Sequence, residues 1–320
     1  MAPPPSQTFR AARKGFVHEA LFYGDDAAFL AGTVPFLQVG IDNDEPALVA
    51  LPQRKIDMLR AALGEGGRAI RYVDMEKVGH NPARIIPAWH QFVEDHKDVD
   101  RPMRGIGEPA WPGRSFDEFV ECERHEALLN LAFADAGDFE LLCPYDVNGL
   151  DPAVVEGAHR THPVVVVNGR RAESGDYMGL DEVVAPFSRP LADPPAEALR
   201  LDFGPDALIA VRQFIRDAAA RAGMGTMREG ELVLAVNELA TNALRYGGGR
   251  GAVETWSDGK TVICQVTDGG LISDPLIGRL PPPHDSERGR GLWLVNQLCD
   301  LVQVRTGDGG SVVRVRLAVA

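Results

Sequence analysis

The stretch REGELVLAVNELATNALRY, residues 228–246, decides how the second half of this 320-residue chain is read. Leu232, Val236, Leu239 and Ala243 recur at helical spacing, which predicts a helix over 228–246 with one buried apolar stripe. Glu238 and Asn242 stand four apart and share a neighbouring face. A carboxylate and an amide oxygen so placed can hold a hard cation such as Mg²⁺, which prefers oxygen ligands, and can orient an attacking group. Taken alone, E-x-x-x-N fits a solvated helix face equally well.

Two later stretches carry related chemistry. Thr267-Asp268-Gly269-Gly270 follows an apolar run, 261–267, predicted as a strand. A carboxylate at a strand end can accept a hydrogen bond from a base amino group, and glycines beside it let a flat ring approach the backbone. A plain turn is the other reading. Glu287-Arg288-Gly289-Arg290-Gly291-Leu292 opens a predicted helix, 291–301. Gly-x-Gly before a helix N-terminus offers N–H groups and a favourable dipole to phosphate. No G-x-x-x-x-G-K-[ST] occurs in the chain, which excludes a P-loop enzyme.

The surrounding pattern supplies a frame. A helix over 206–222 precedes the first stretch, a strand over 251–257 follows it, and strands 302–306 and 311–319 flank the turn Gly307-Asp308-Gly309-Gly310. Val313, Val315, Leu317 and Val319 alternate with Arg314 and Arg316, the pattern of a half-buried strand. Helices followed by antiparallel strands predict an α/β sandwich.

E-x-x-x-N, D-x-G and G-x-G-L, in that order within 201–320, resemble the N, G1 and G2 boxes of the GHKL ATPase superfamily. Gly309-Gly310-Ser311 resembles its further glycine box. The resemblance implies the Bergerat α/β sandwich, binding ATP with Mg²⁺ under a lid formed by 271–288. It implies that Asp268, with Gly270 beside it, reads adenine. Asn242 carries Mg²⁺, and Gly289, Gly291 and Leu292 line the phosphates. The helix over 206–222 contains no histidine, so the dimerisation helix of histidine kinases is missing from its usual place. The domain is similar instead to the anti-sigma regulatory factors, the switch-protein serine kinases. That likeness implies Glu238 as general base and Arg288 as a contact to the γ-phosphate or the partner. The implied partner is a STAS-domain anti-anti-sigma factor, a sigma factor, or both, with the protein itself a homodimer. Two alternatives stay open. Pro281, Pro282 and Pro283 stiffen the lid, which suits a module that binds ATP without turnover and sequesters a partner. An atypical histidine kinase would use a remote phosphoacceptor such as His125.

The first half alternates predicted strands (18–22, 46–51, 69–74, 139–143, 163–168) with predicted helices (26–39, 52–64, 82–95, 116–136, 152–159). That alternation predicts a mainly parallel sheet with helices on its faces. His18-Glu19-Ala20-Leu21-Phe22-Tyr23, Ile70-Arg71-Tyr72-Val73-Asp74 and Leu141-Leu142-Cys143-Pro144-Tyr145-Asp146 resemble the MEDS sensory domain over 15–186. The resemblance implies a RecA-like α/β fold without a nucleotide loop. Tyr145 and Asp146 end a predicted parallel strand, where open α/β sheets bind ligands. His18 and Cys143 either join them in a crevice for a small-molecule signal, or all four serve the core. His159 and His162 are three apart but straddle a helix end with no carboxylate or cysteine at ligand spacing, so no metal is expected there. Glu118, Glu121, Glu123, His125 and Glu126 are expected on a solvated helix face. Pro190, Pro194 and Pro195 mark 187–200 as a linker.

Composition sets outer bounds. The net charge of −13 argues against a reader of phosphate backbones, so no direct nucleic-acid partner is expected. No apolar run approaches the roughly 18 residues that span a bilayer, and residues 1–15 hold no secretory stretch. Cys122, Cys143, Cys264 and Cys299 form no C-x-x-C and read as reduced thiols of a cytoplasmic protein.

Overall fold

The structure, a computed structural model, describes residues 15–179, 190–282 and 289–320. The chain divides into two compact units, up to 183 and from 184 onward.

The first unit runs β1 (Phe16–Tyr23), α1 (Asp26–Asp42), β2 (Ala47–Leu51), α2 (Gln53–Leu63) and β3 (Arg71–Asp74). It continues with the single turn α3 (Met75–Val78), α4 (Ile85–His96), β4 (Met103–Gly107), α5 (Phe116–Ala132) and β5 (Phe139–Asp146). It closes with α6 (Pro152–Thr161), β6 (Val164–Val167) and β7 (Arg170–Glu173). The sheet order is β3-β2-β4-β5-β1-β6-β7. All pairings are parallel except β6 with β7. Strands β2 and β4 are buried along their whole length, as a parallel sheet covered on both faces requires.

Strands β4 and β7 are not announced by the apolar pattern; in β4, Arg104, Gly105 and Gly107 interrupt it. Packing explains each. A Cβ on Gly105 would lie 2.7 Å from Leu141 Cδ1 and 2.9 Å from the Trp89 ring of α4, so glycine lets that indole close over the strand. Arg104 is buried but pairs with Glu45 and, at 3.0 Å, with Glu140, and its guanidinium stacks 4.9 Å from the Phe36 ring. A buried charge is tolerated only when so paired.

Helix α5 overturns the solvated-face expectation. Ser115 and Glu118 form a capping box at its start. Glu121, Cys122, His125, Glu126, Leu128 and Leu129 are all buried. Glu118 and Glu123 alone of the four glutamates keep partial exposure. His125, buried at 1 % exposure, is not placed as an open phosphoacceptor.

The second unit begins with β8 (Leu199–Phe203), followed by α7 (Leu208–Arg221), α8 (Thr226–Tyr246), β9 (Gly251–Ser257) and β10 (Thr261–Asp268). It ends with α9 (Arg290–Leu298), β11 (Leu301–Gly307) and β12 (Gly310–Ala318). Its sheet, β11-β12-β10-β9-β8, is antiparallel throughout. The helices pack on one face. Leu232, Val236, Leu239 and Ala243 of α8 meet Val253, Val262, Cys264, Val266, Val313, Val315 and Leu317 of the sheet. This is the α/β sandwich expected from the sequence. Two details differ. The end of the proline-rich 187–200 segment is already strand, since Leu199 opens β8 against β9. Arg314 is buried on the face opposite the helices, donating to Gln265 Oε1 at 2.6 Å and to Ala192 O at 2.5 Å. The arginines of β12 therefore do not simply line a wet surface. Among the described residues no helix is long and apolar enough to cross a membrane.

Candidate functional site

In the second unit the three motifs converge on the C-terminal half of α8. Asn242 and Glu238 project from α8 toward the start of α9. A Cβ built on Gly291 would lie 3.1 Å from Glu238 Oε2 and 3.2 Å from Asn242 Nδ2. Glycine leaves open the space between the α9 backbone and both polar groups, which a Cβ would crowd. The helix starts at Gly289, whose φ of 81° is left-handed, and no side chain of the described residues caps it. The amides of Gly291 and Leu292 thus lie in an uncapped first turn, with the positive end of the helix dipole behind them. The Leu292 side chain itself is core, seated beneath Gly278.

Asp268 occupies the other end of the cleft. It ends β10 beside Gly247, the C-cap of α8, where a Cβ would sit 2.4 Å from Asp268 Oδ1. Oδ1 accepts from Gly270 N at 2.7 Å, while Asp268 keeps partial exposure. Burial pushes its carboxyl above the usual range, and the Gly270 N–H opposes that rise. Gly270 O in turn accepts from Ser311 Oγ at 2.9 Å, so the predicted glycine box of β12 supports this corner. Asn242 and Gly247 are five residues apart on one helix, about 7.5 Å along its axis. The cleft between them has a carboxylate at one end and an amide-rich helix start at the other.

Of the predicted nucleotide-site residues, Glu238, Asn242, Gly291 and Leu292 come together, and Asp268 and Gly270 form the adjoining corner. Gly289 starts α9. Arg288, with Glu287 and Pro283, lies outside the described residues. The cleft fits ATP and Mg²⁺ by two observations: a carboxamide beside a carboxylate, and a glycine-lined approach to an uncapped helix start that a Cβ would fill.

In the first unit the predicted quartet divides. His18 Nε2 and Cys143 Sγ lie 3.4 Å apart. Tyr145 is buried beside them, its ring 5.6 Å from that of His162. Asp146 is not with them: its carboxylate accepts from Asn148 N and Gly149 N, both at 3.0 Å, and shapes a turn. Glu126 and His162, which sequence reasoning set aside, complete the group around His18. Burial, the largest cause, holds the His18 imidazole down to about 4.

A second polar trio was missed. Tyr23 donates to Glu108 Oε1 at 2.8 Å and Lys55 donates to both, at the carboxyl ends of β1 and β4. Burial raises the Glu108 carboxyl to about 7 against the pull of Lys55. Open α/β sheets bind ligands at such strand ends. The only sequence signal was Glu108 itself, a charge directly after an unrecognised strand.

Residues 17–163 match the family model described as MEDS, the methanogen/methylotroph, DcmR sensory domain. Residues 202–317 match the model described as the histidine kinase-like ATPase domain. No curated protein matches the chain. Among solved structures, the RsbU and RsbW domains of Rv1364c from Mycobacterium tuberculosis are similar at 20% identity, over 38% of this chain and 32% of that one, with a TM-score of 0.30. The chain thus spans about a third of that structure's length. With the family models seated on the two units described above, the first unit carries a MEDS sensory domain and the second a histidine kinase-like ATPase domain of the GHKL type.

Proposed function

We propose that the second unit is an ATP-dependent protein kinase of the anti-sigma type, transferring phosphate to a serine hydroxyl of a STAS-domain partner under control of the MEDS domain. The observation that carries the reading is the placement of Glu238 Oε2 beside Asn242 and the backbone of Gly291. Asp268 accepts the hydrogen bond of the adenine amino group, and the amides of Gly291 and Leu292 hold phosphate oxygens. Asn242 would hold Mg²⁺ through its side-chain oxygen. Bound Mg-ATP supplies the phosphoryl group and most of the charge neutralisation that transfer requires. Glu238 then takes the proton of the acceptor hydroxyl as its oxygen bonds to the γ-phosphorus and the bridging oxygen leaves with ADP. Arg288 is proposed as a further cation toward the γ-phosphate or the partner.

The test is incubation of the full chain with Mg-ATP and a STAS-domain protein from the same genome. Acid-stable phosphoserine on the partner, lost with Glu238→Ala while nucleotide binding persists, supports the kinase. A folded, ATP-binding chain that labels no such partner refutes it. One observation favours the second reading, a binding module that sequesters a sigma factor without turnover. The segment before the prolines is tied down: Asn296 Nδ2 donates to Gly278 O at 2.8 Å, and Ile272 N donates to Thr306 Oγ1 at 3.2 Å. Under that reading Glu238→Ala leaves partner regulation unchanged.

A further inference from the structure

Four side chains that are distant in sequence meet inside the first unit. His18 comes from β1, Glu126 from α5, Cys143 from β5 and His162 from the C-cap of α6. Each is at most 1 % exposed. One ligand atom from each, a ring nitrogen of either histidine, a carboxylate oxygen and the thiol sulfur, lies within 4.8 Å of all the others.

Hydrogen bonding fixes which atoms face the centre. His162 Nδ1 lies 2.8 Å from Ala158 O, and a carbonyl only accepts, so Nδ1 carries a proton, and in the neutral ring Nε2 is a lone pair. Asn130 Nδ2 donates to Thr161 O at 2.8 Å, which turns Oδ1 toward His18 Nδ1 at 3.2 Å. His18 Nδ1 is therefore also a donor, and its Nε2 also a lone pair. Both lone pairs point at one carboxylate oxygen, Glu126 Oε2, at 2.9 and 3.3 Å. Among the described residues His162 Nε2 and Glu126 Oε1 have no hydrogen-bond partner, although both are buried. With both rings neutral, the Cys143 thiol proton can meet only one of these acceptors, and the others are costly in a dry interior unless a positive charge, a proton or a metal ion, sits between them.

We propose that this cluster is a closed binding site for a divalent transition-metal ion, zinc by chemistry, with His18, Glu126, Cys143 and His162 as its four ligands. Two imidazoles, a thiolate and a carboxylate are the donors such an ion takes, and with both anionic groups ionised the filled site is neutral. Bonds of about 2.0–2.3 Å in a tetrahedron place ligand atoms roughly 3.3–3.8 Å apart. The 2.9, 3.3 and 3.4 Å separations need shifts of only a few tenths of an ångström to match, and the remaining pairs, all within 4.8 Å, need to close by about 1 Å at most. The outer groups are also those a metal site uses: each histidine gives its remaining N–H to a backbone carbonyl or an amide oxygen, which sets tautomer and ring orientation. On binding, Cys143 releases its thiol proton to solvent. Ligands from two strands and two helices make the ion a tie across the sheet and one of its covering layers.

The test uses the untagged full chain, expressed in zinc-supplemented medium and purified without chelator. Elemental analysis is expected to find about one zinc per chain, reduced at least about tenfold in Cys143→Ser/His162→Ala. Refolding with Co²⁺ in place of zinc is expected to give visible bands of tetrahedral cobalt and a near-ultraviolet thiolate band. The conservative Cys143→Ser should lose the thiolate band selectively, a readout that mere misfolding would not separate. Less than about a tenth of an equivalent of any first-row metal in folded wild type, before and after refolding with Zn²⁺ or Co²⁺, would overturn the proposal. So would metal retained equally by the double variant.

Discussion

Gly291→Ala should weaken nucleotide binding without weakening the fold. The added Cβ would stand 3.1 Å from Glu238 Oε2 and 3.2 Å from Asn242 Nδ2, closer than ordinary van der Waals contact. Either Glu238 or the helix start must give way, and the approach of a phosphate to the Gly291 amide is obstructed. Losing one hydrogen bond to a charged group costs about 1.5–3 kcal/mol, or roughly 10- to 150-fold in affinity. Stability should move the other way. Gly291 carries no positive φ, and alanine is favoured over glycine in a helix by about 1 kcal/mol at most. The melting temperature should therefore stay level or rise by roughly 2–4 °C. Calorimetric titration with Mg-ATP and a thermal melt of the same preparation give both numbers. An affinity within about twofold of wild type would refute the placement of phosphate at this helix start. A large fall in melting temperature would show Gly291 to be a packing glycine instead.

Asp268→Asn should cost about 1–1.5 kcal/mol of ATP affinity, the difference between a charge-assisted bond to the adenine amino group and a neutral one. The ionised carboxylate is the accepting form and its pKa is raised, so wild-type affinity is full above that raised value and declines as pH falls through it. The decline should begin at higher pH than for an ordinary aspartate. Asp268→Asn should lack that component, which titrations at several pH values can check. Gly310→Ala should destabilise the second unit by about 2 kcal/mol or more, since φ is 108° and a Cβ would meet Asp268 O at 2.0 Å. Urea unfolding followed by tryptophan fluorescence measures it. Arg104→Ala should destabilise the first unit by about 3–5 kcal/mol, leaving Glu45 and Glu140 buried without their cation. Chemical denaturation should show that loss reduced in Arg104→Ala combined with Glu140→Gln.

The second unit was largely legible because its signals are local. Leu232, Val236, Leu239 and Ala243 announce a helix, Glu238 and Asn242 ride on it, and the glycine motifs mark the turns that must come close. What the local pattern could not convey was support from outside it. Arg314 looked solvent-facing until Gln265 and the backbone of Ala192 covered it. In the first unit, strand β4 was hidden because its glycines answer to Trp89, a residue on another element. The histidine cluster was hidden for the same reason in stronger form. His18, Glu126, Cys143 and His162 share no spacing, and the topology of a parallel sheet with crossover helices brings them together. Glu126 looked solvated because its helix carries charges on several sides, yet Cys122, Leu128 and Leu129 already marked a face that had to be buried.

The most direct test of the account is calorimetric titration of the full chain with ATP, with and without Mg²⁺, beside Asn242→Ala. One Mg²⁺-dependent site is expected in the wild type, and in Asn242→Ala a weaker site that no longer responds to Mg²⁺. Absence of binding in the folded wild type, or an unchanged Mg²⁺ response in Asn242→Ala, would contradict it.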